Sequence, residues 1–234
     1  MALILNIETS TQVCSVSLSM DGVTTGIKES HTKNSHAELL TIFAQQLISD
    51  QGLEFKNLDA IAVSKGPGSY TGLRIGVSTA KGLCYSLDKP LIAISTLEAM
   101  AAGMIRSMNT SDISNTIFCP MIDARRMEVY SALFSSDISM LRKIEAQIID
   151  ENSFKNELES NILVFGGDGA EKCKEILGDN KNAIFLDNFF PSSDYFGRLS
   201  EDKFLKGKFE DVAYFEPFYL KDFIAGIPRV KGLK

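Results

Sequence analysis

The chain has no tryptophan, two histidines and four cysteines among its 234 residues. These shortages exclude several kinds of chemistry. Cys14, Cys84, Cys119 and Cys173 are scattered and form no C-x-x-C pair. Three of them lie in apolar segments, where a free thiol behaves as a small hydrophobe. No disulfide framework is expected, and the pattern fits a reducing compartment. His31 and His36 are five residues apart, whereas two zinc ligands on one helix need H-x-x-x-H spacing. No metal site is expected, and His36 reads as a helix N-terminal residue. A hydrolase triad is equally unexpected, because no G-x-S-x-G elbow occurs.

Basic charge is also in short supply. The net charge of −6 and the pI near 5.1 argue against a chain that binds nucleic acid by itself, although a local basic patch stays open. No apolar run approaches the roughly 18 residues of a membrane span. The run Leu3–Ile7 before Glu8 is too short for a signal peptide and lacks a basic flank. A cytoplasmic location without membrane contact is therefore expected, and the Asn109-Thr110-Ser111 sequon carries no glycan there. What the chain does have is a 44% hydrophobic content and a mean hydropathy of +0.02, as in ordinary globular proteins.

The pattern reads as α/β. Leu3–Ile7 is a strand buried on both faces, Val13–Leu18 alternates, and Asp21-Gly22 turns the chain into a third strand at Val23–Lys28. Ser35-His36-Ala37-Glu38 has the form of a capping box, ahead of a helix with Leu39, Leu40, Phe43 and Leu47 on one face. A strand at Ala60–Val63, a glycine turn, a helix at Tyr70–Leu87 and a strand at Leu91–Ile94 follow. Ser95-Thr96-Leu97-Glu98 opens another helix, fading near Arg106. Met108–Asn115 reads as a linker. Strands are then expected at Thr116–Ile122, Glu128–Phe134, Ile144–Ile149, Ile162–Phe165 and Ala183–Leu186. Helices are expected at Asn152–Glu159, Ala170–Leu177 and about Ser193–Leu205.

Two successive β-β-β-α-β-α orders suggest a duplicated unit. Local details agree: Ile7-Glu8-Thr9 and Ile122-Asp123-Ala124 each place an acid after a buried strand. Gly66-Pro67-Gly68 and Gly167-Asp168-Gly169 each join a strand to a helix. The expected division is 1–107 for the N-terminal unit and 108–234 for the C-terminal one, whose last segment packs back on the first.

The segment from Gly66 to Gly76 is the most informative. Its glycine turn at a helix start could hold an anion, but it lacks both the Gly-Lys pair of a P-loop and the G-x-G-x-x-G spacing. Gly72, Gly76 and Ala80 recur every four residues, with Gly82 near the helix end. Each interior glycine costs about 0.5–1 kcal/mol against alanine, so close packing must compensate. Beside them run Leu73, Val77, Ala80, Cys84 and Leu87. The neighbour that packs there is either internal or a partner subunit. Asp123-Ala124-Arg125-Arg126 is either an anion holder or a local Asp–Arg turn. Glu8, Asp123 and Asp168 lie where an ATP-using protein would place acids for Mg²⁺, though strand-end carboxylates are also common turn residues.

Gly66-Pro67-Gly68-Ser69-Tyr70-Thr71-Gly72-Leu73-Arg74-Ile75-Gly76-Val77, continued by Ala80-Lys81-Gly82-Leu83, resembles the signature of the TsaB (YeaZ) family. So do Ile7-Glu8-Thr9-Ser10-Thr11 with Cys14-Ser15-Val16, Ser35–Leu40, Asp123–Arg126 with Glu128-Val129-Tyr130, and Pro217-Phe218-Tyr219-Leu220. Tyr70 stands where phenylalanine is commoner. The resemblance implies two tandem actin-like (ribonuclease H-like) subdomains with mixed sheets. It also implies a non-catalytic subunit in the synthesis of N6-threonylcarbamoyladenosine at position 37 of tRNA. The expected partners are the catalytic paralogue TsaD and the small ATPase TsaE, with tRNA reached only through the complex. An isolated homodimer is expected as well. The resemblance puts the TsaD contact on the first two helices, at His36, Leu39, Leu40, Phe43, Tyr70, Gly72, Leu73, Arg74, Gly76, Val77 and Ala80. Replacing Gly76 by arginine is then expected to abolish pairing and spare the fold. A vestigial nucleotide or anion site is expected at Glu8, Thr9, Ser10, Gly66, Gly68, Ser69, Asp123, Arg125, Gly167, Asp168 and Gly169. No cofactor is expected in the isolated chain, with ATP or ADP at the junction with the partner. An independent small-molecule kinase on the same fold is the alternative reading.

Overall fold

A computed structural model describes residues 2–32, 35–108 and 115–221. The first half comprises β1 (Leu3–Glu8), β2 (Cys14–Met20), β3 (Val23–Ser30), α1 (His36–Asp50), β4 (Ala60–Gly66), α2 (Tyr70–Leu87), β5 (Leu91–Ser95) and α3 (Thr96–Ser107). The second comprises β6 (Thr116–Asp123), β7 (Glu128–Phe134), β8 (Met140–Ile148), α4 (Lys155–Ser160), β9 (Ile162–Gly166), α5 (Ala170–Leu177) and β10 (Ala183–Leu186). A 3-10 turn at Ser193–Tyr195 and α6 (Gly197–Leu205) follow.

Each half builds one five-stranded sheet, ordered β3-β2-β1-β4-β5 and β8-β7-β6-β9-β10. Within each, the first three strands pair antiparallel and the last two add parallel. The orders correspond strand for strand, so the tandem actin-like units expected from the sequence are present. Every residue of β1 is buried, because helices cover both faces of its sheet. That double cover is why its sequence is a continuous apolar run. β3, at the sheet edge, is exposed at every second residue.

One face of the first sheet packs under α1 and α2 around Leu5, Ile7, Val16, Ile61 and Val63. Its other face, with Ile4, Ala62, Ile92 and Ile94, is covered by Ala99 of α3 and by Phe196, Leu199 and Phe204 around α6. The chain thus leaves the second sheet and returns to the first. The helix expected at Ser193–Leu205 is split by Phe196, which is fully buried in this layer. α3 joins the halves: Leu97, Met100, Ala101 and Met104 face Phe118, Ile122 and Val164 of the second sheet.

Several local expectations change. Ser35 makes no side-chain cap to α1; its hydroxyl donates instead to the Thr32 carbonyl at 2.7 Å, which removes the expected capping box. Ser95 does cap α3, accepting from the Glu98 N–H, and Ser69 caps α2 through the Gly72 N–H. β8 begins at Met140, earlier than its alternation suggests, and α4 begins at Lys155 after a left-handed Phe154. Most of the expected linker and all of the sequon lie outside the described residues. No helix among the described residues is long and apolar enough to cross a membrane.

Candidate functional site

β1 ends on Glu8, and the turn that follows is gripped by the start of α2. A Cβ built on Gly72 would lie 2.1 Å from the Thr9 carbonyl oxygen, and one on Gly76 would lie 2.2 Å from Thr9 Oγ1. A Cβ on Gly68 would lie 2.4 Å from the Ser10 carbonyl oxygen, the same oxygen that accepts the Ser69 N–H at 2.6 Å. The small-residue stripe therefore lets the helix backbone touch the β1–β2 turn. Its neighbour is internal.

This corrects the expected partner surface. His36, Leu40, Gly72, Leu73, Gly76, Val77 and Ala80 are all buried within the chain, and His36 Nε2 lies 3.2 Å from the Val13 carbonyl oxygen. A side chain at Gly76 would displace Thr9, so a Gly76→Arg variant reports on the fold. Of the expected set, Leu39, Phe43 and Tyr70 stay half-buried and Arg74 is exposed. Ile42 (46% exposed), Ile75 and Leu83 keep apolar surface on the same two helices and were missed. The signal was in the spacing, since 39, 42 and 43 flank the fully inward positions 40, 44 and 47 on the α1 wheel.

The acids at the two strand ends have different fates. Glu8 is 1% exposed. Its Oε1 accepts the Ser10 N–H at 2.5 Å, and its Oε2 has no partner. Burial pushes its pKa up, against the hydrogen bonds from Ser10. Asp123 is exposed and ion-pairs with Lys172, while its Oδ1 accepts the Arg125 N–H at 2.9 Å. Lys172 Nζ also donates to the carbonyls of Arg126 (2.8 Å) and Glu128 (2.6 Å), which fixes the β6–β7 hairpin. The Asp–Arg turn is thus closed by the Asp123 carboxylate on the Arg125 backbone, and the ion-pair partner is a lysine that sequence reading did not single out. Asp168 accepts the Asp123 N–H at 3.1 Å; burial raises its pKa, with the Asp123 charge adding to the effect. Gly167 takes φ +117°, and a Cβ there would lie 2.1 Å from the Met121 carbonyl oxygen. Gly169 packs on the Ile122–Asp123 peptide.

Between the halves lies a cleft of about 850 Å³. Ser10–Gln12 and Pro67–Gly72 line it from the first half, and Ile122–Arg126, Glu128, Tyr130 and Asp168 from the second. Phe218–Lys221 line it too. Of the expected anion-site residues the cleft gathers Ser10, Gly68, Ser69, Asp123, Arg125 and Asp168, whereas Glu8, Thr9, Gly66, Gly167 and Gly169 are spent in packing behind it. Ser10 packs directly against Gly68, so that glycine approaches protein and not open space. The sealed Glu8 cannot reach a cation in the cleft. Among the described residues, no group of three or more His, Cys, Asp and Glu side chains is arranged to hold a metal ion. Arg125 and Arg126 differ: both have left-handed backbone, at φ 70° and 49°, and neither guanidinium has an ion-pair partner among the described residues. The second-half wall of the cleft thus carries two exposed guanidinium groups. The cleft does not fit a Mg²⁺-nucleotide held by the first half.

Two sheets of matching order, joined through α3 and opening on a shared cleft, define a duplicated α/β protein of the actin-like class. The family described as TsaD, tRNA N6-adenosine threonylcarbamoyltransferase, matches residues 13–155, more than half of the chain. The tRNA threonylcarbamoyladenosine biosynthesis protein TsaB of Bacillus subtilis is 31% identical over 182 residues, covering 75% of this chain and 76% of its own. Its namesake from Escherichia coli is 29% identical over 228 residues, covering 95% and 96%. YeaZ from Pseudomonas aeruginosa superposes with a TM-score of 0.79 at 24% identity, over 94% of this chain and 100% of that one. The chain belongs to the TsaB (YeaZ) family.

Proposed function

We infer that this chain serves threonylcarbamoyladenosine synthesis on tRNA as a non-catalytic subunit that pairs with the catalytic paralogue TsaD. The observation that carries this reading is the similarity to TsaB proteins along nearly the whole chain. The geometry supports it: the first half spends Glu8 and its glycine turn on internal packing. The kinase reading is not carried further, because the acid it needs at the end of β1 is sealed from the cleft.

The partner face is the outward side of α1 and α2, where Leu39, Ile42, Phe43, Ile75 and Leu83 keep apolar surface. In the isolated protein the same face associates two copies. TsaE joins the complex, tRNA is reached through it, and the assembly works in the cytoplasm. ATP or ADP sits at the junction with the partner; Arg125 and Arg126, which have no ion-pair partner among the described residues, are the anion holders this chain offers.

The test is to co-purify the chain with TsaD of the same organism and assay modified tRNA with and without it. Modification by this chain alone, or full activity in its absence, would overturn the reading. Ile42→Arg, a surface change that leaves folding stability within about 0.5 kcal/mol, is expected to abolish co-purification. Retained pairing would move the interface elsewhere.

A further inference from the structure

Residues 206–221 belong to no helix or sheet strand, yet they are tied down along their length. The Glu210 N–H donates to the carbonyl of Leu91, the first residue of β5, at 2.9 Å. Lys81 of α2 donates to the carbonyls of Ala213 (3.0 Å) and Phe215 (3.1 Å), and Val212 and Phe215 pack on the first-half core. The Phe218 N–H donates to the Lys65 carbonyl at 2.7 Å, and the Tyr219 ring lies 4.9 Å from that of Tyr70. All these anchors are in the first half. The next tie is different: Lys221 ion-pairs with Glu128 of β7, in the second half.

The halves are joined elsewhere by α3, which packs on β4 and β5 of one sheet and β6, β7 and β9 of the other. Among the described residues, Lys221–Glu128 is the one ion pair that crosses the cleft. Its far end is well placed to move the wall. The Glu128 N–H donates to the Arg125 carbonyl at 3.2 Å, and its own carbonyl accepts from Ala124 and Lys172. A pull on Glu128 therefore acts on the hairpin that carries Arg125 and Arg126. The two side chains are 43% and 22% exposed, and an ion pair that meets water is weak and screened by salt. Such a bond makes a reversible fastening, not a permanent brace.

We propose that residues 206–221 form a latch that sets the opening of the cleft, engaged when Lys221 pairs with Glu128 and released when that pair breaks. The inference concerns the isolated chain and stands apart from the reading of its partners. Spin labels at Lys56→Cys before β4 and Glu159→Cys on α4, both exposed positions away from the outward face of α1 and α2, report the spacing of the halves by pulsed electron resonance when the labelled chain is diluted with unlabelled chain. The four native cysteines are buried and escape labelling. The narrow distance distribution of the labelled parent is expected to broaden toward longer distances in Lys221→Glu and in Glu128→Lys. It narrows again in the doubly reversed variant. Lys208→Glu, on the same segment, leaves it unchanged. Should a single reversal unfold the chain, high salt in the labelled parent is expected to give the same broadening. Unchanged distributions in the reversals or in salt would overturn the latch. So would a double variant as broad as the singles, or an equal effect from Lys208→Glu.

Discussion

The two halves share a strand order but treat the end of their first strand in opposite ways. In the first half Glu8 is sealed, and α2 lies so close that Gly68, Gly72 and Gly76 have no room for a Cβ. In the second half Asp123 stays exposed, held by Lys172 in a hairpin that turns Arg125 and Arg126 outward. Glycines grip both strand ends, since Gly167 presses on the Met121 carbonyl as closely as Gly72 presses on Thr9, and Gly169 packs on the Ile122–Asp123 peptide. What differs is that the first acid is sealed and the second stays on a polar wall. Topology is thus silent on chemistry: the same β-turn-helix crossing supports a dry contact or a wet one, according to the side chains that fill it.

The strongest way to break the first-half joint is Gly72→Ala. The added methyl carbon would sit 2.1 Å from a backbone oxygen, which no rotamer change relieves. Overpacking of this kind costs about 3 kcal/mol, and a lowered midpoint in urea at unchanged slope is the expected reading. An unchanged midpoint would mean that α2 shifts freely, and the contrast between the halves would fall. The matching cut in the second half is Lys172→Met, which removes a charge-assisted anchor of the hairpin. A loss of about 2 kcal/mol is expected, at the level of hydrogen bonds to charged groups. If both variants cost the same, the second half is as rigid a joint as the first.

How much of this the sequence made legible depends on the distance over which each feature is decided. The order of elements along the chain, the turn at Asp21-Gly22 and the closeness of something to Gly72 and Gly76 follow from local pattern and local cost. What lay against those glycines did not, because a stripe of small residues looks the same whether its neighbour is Thr9 or another protein. The return of α6 to the first sheet was equally hidden. Phe196, Leu199 and Phe204 announce a buried face, and nothing in their spacing says which sheet they cover. Lys172 gave no signal, since a lysine on an amphipathic helix is ordinarily a solvated one. In the site, the residue types at Glu8 and Asp123 suggested equivalent acids, and only burial separated them.

That separation has a pH signature. Burial raises the pKa of Glu8 above its ordinary value of 4.5, so the folded state binds a proton more tightly than the unfolded one. Stability is then highest below the unfolded-state pKa and falls as pH rises toward the folded-state value. Asp168 shifts in the same direction, also through burial first. Thermal unfolding followed from the ordinary carboxylate range upward should show this decline. Glu8→Gln is expected to flatten it by more than Asp168→Asn does, because each acid has one backbone donor but Glu8 is fully buried with Oε2 unpartnered, whereas Asp168 is half-buried. An equal flattening by both would mean that the acid in the first half is no more isolated than its neighbour in the second.

The smallest effect sharpens the comparison within a single helix. Gly82 lies on α2 beyond Gly72 and Gly76, but a Cβ there meets nothing within 4 Å, and the residue is exposed. Close packing therefore explains the first two glycines and leaves the third without a contact to protect. Gly82→Ala removes the backbone entropy cost of an interior glycine and adds no clash, so it should stabilise the chain by about 0.5–1 kcal/mol. The sign is opposite to that expected at Gly72, although residue, helix and substitution are the same. A gain at 82 beside a loss at 72, in one urea series, would assign the cost at 72 to the grip on the β1–β2 turn. A loss at both would mean that α2 itself disfavours the added methyl, and the cost at 72 could no longer be assigned to that grip.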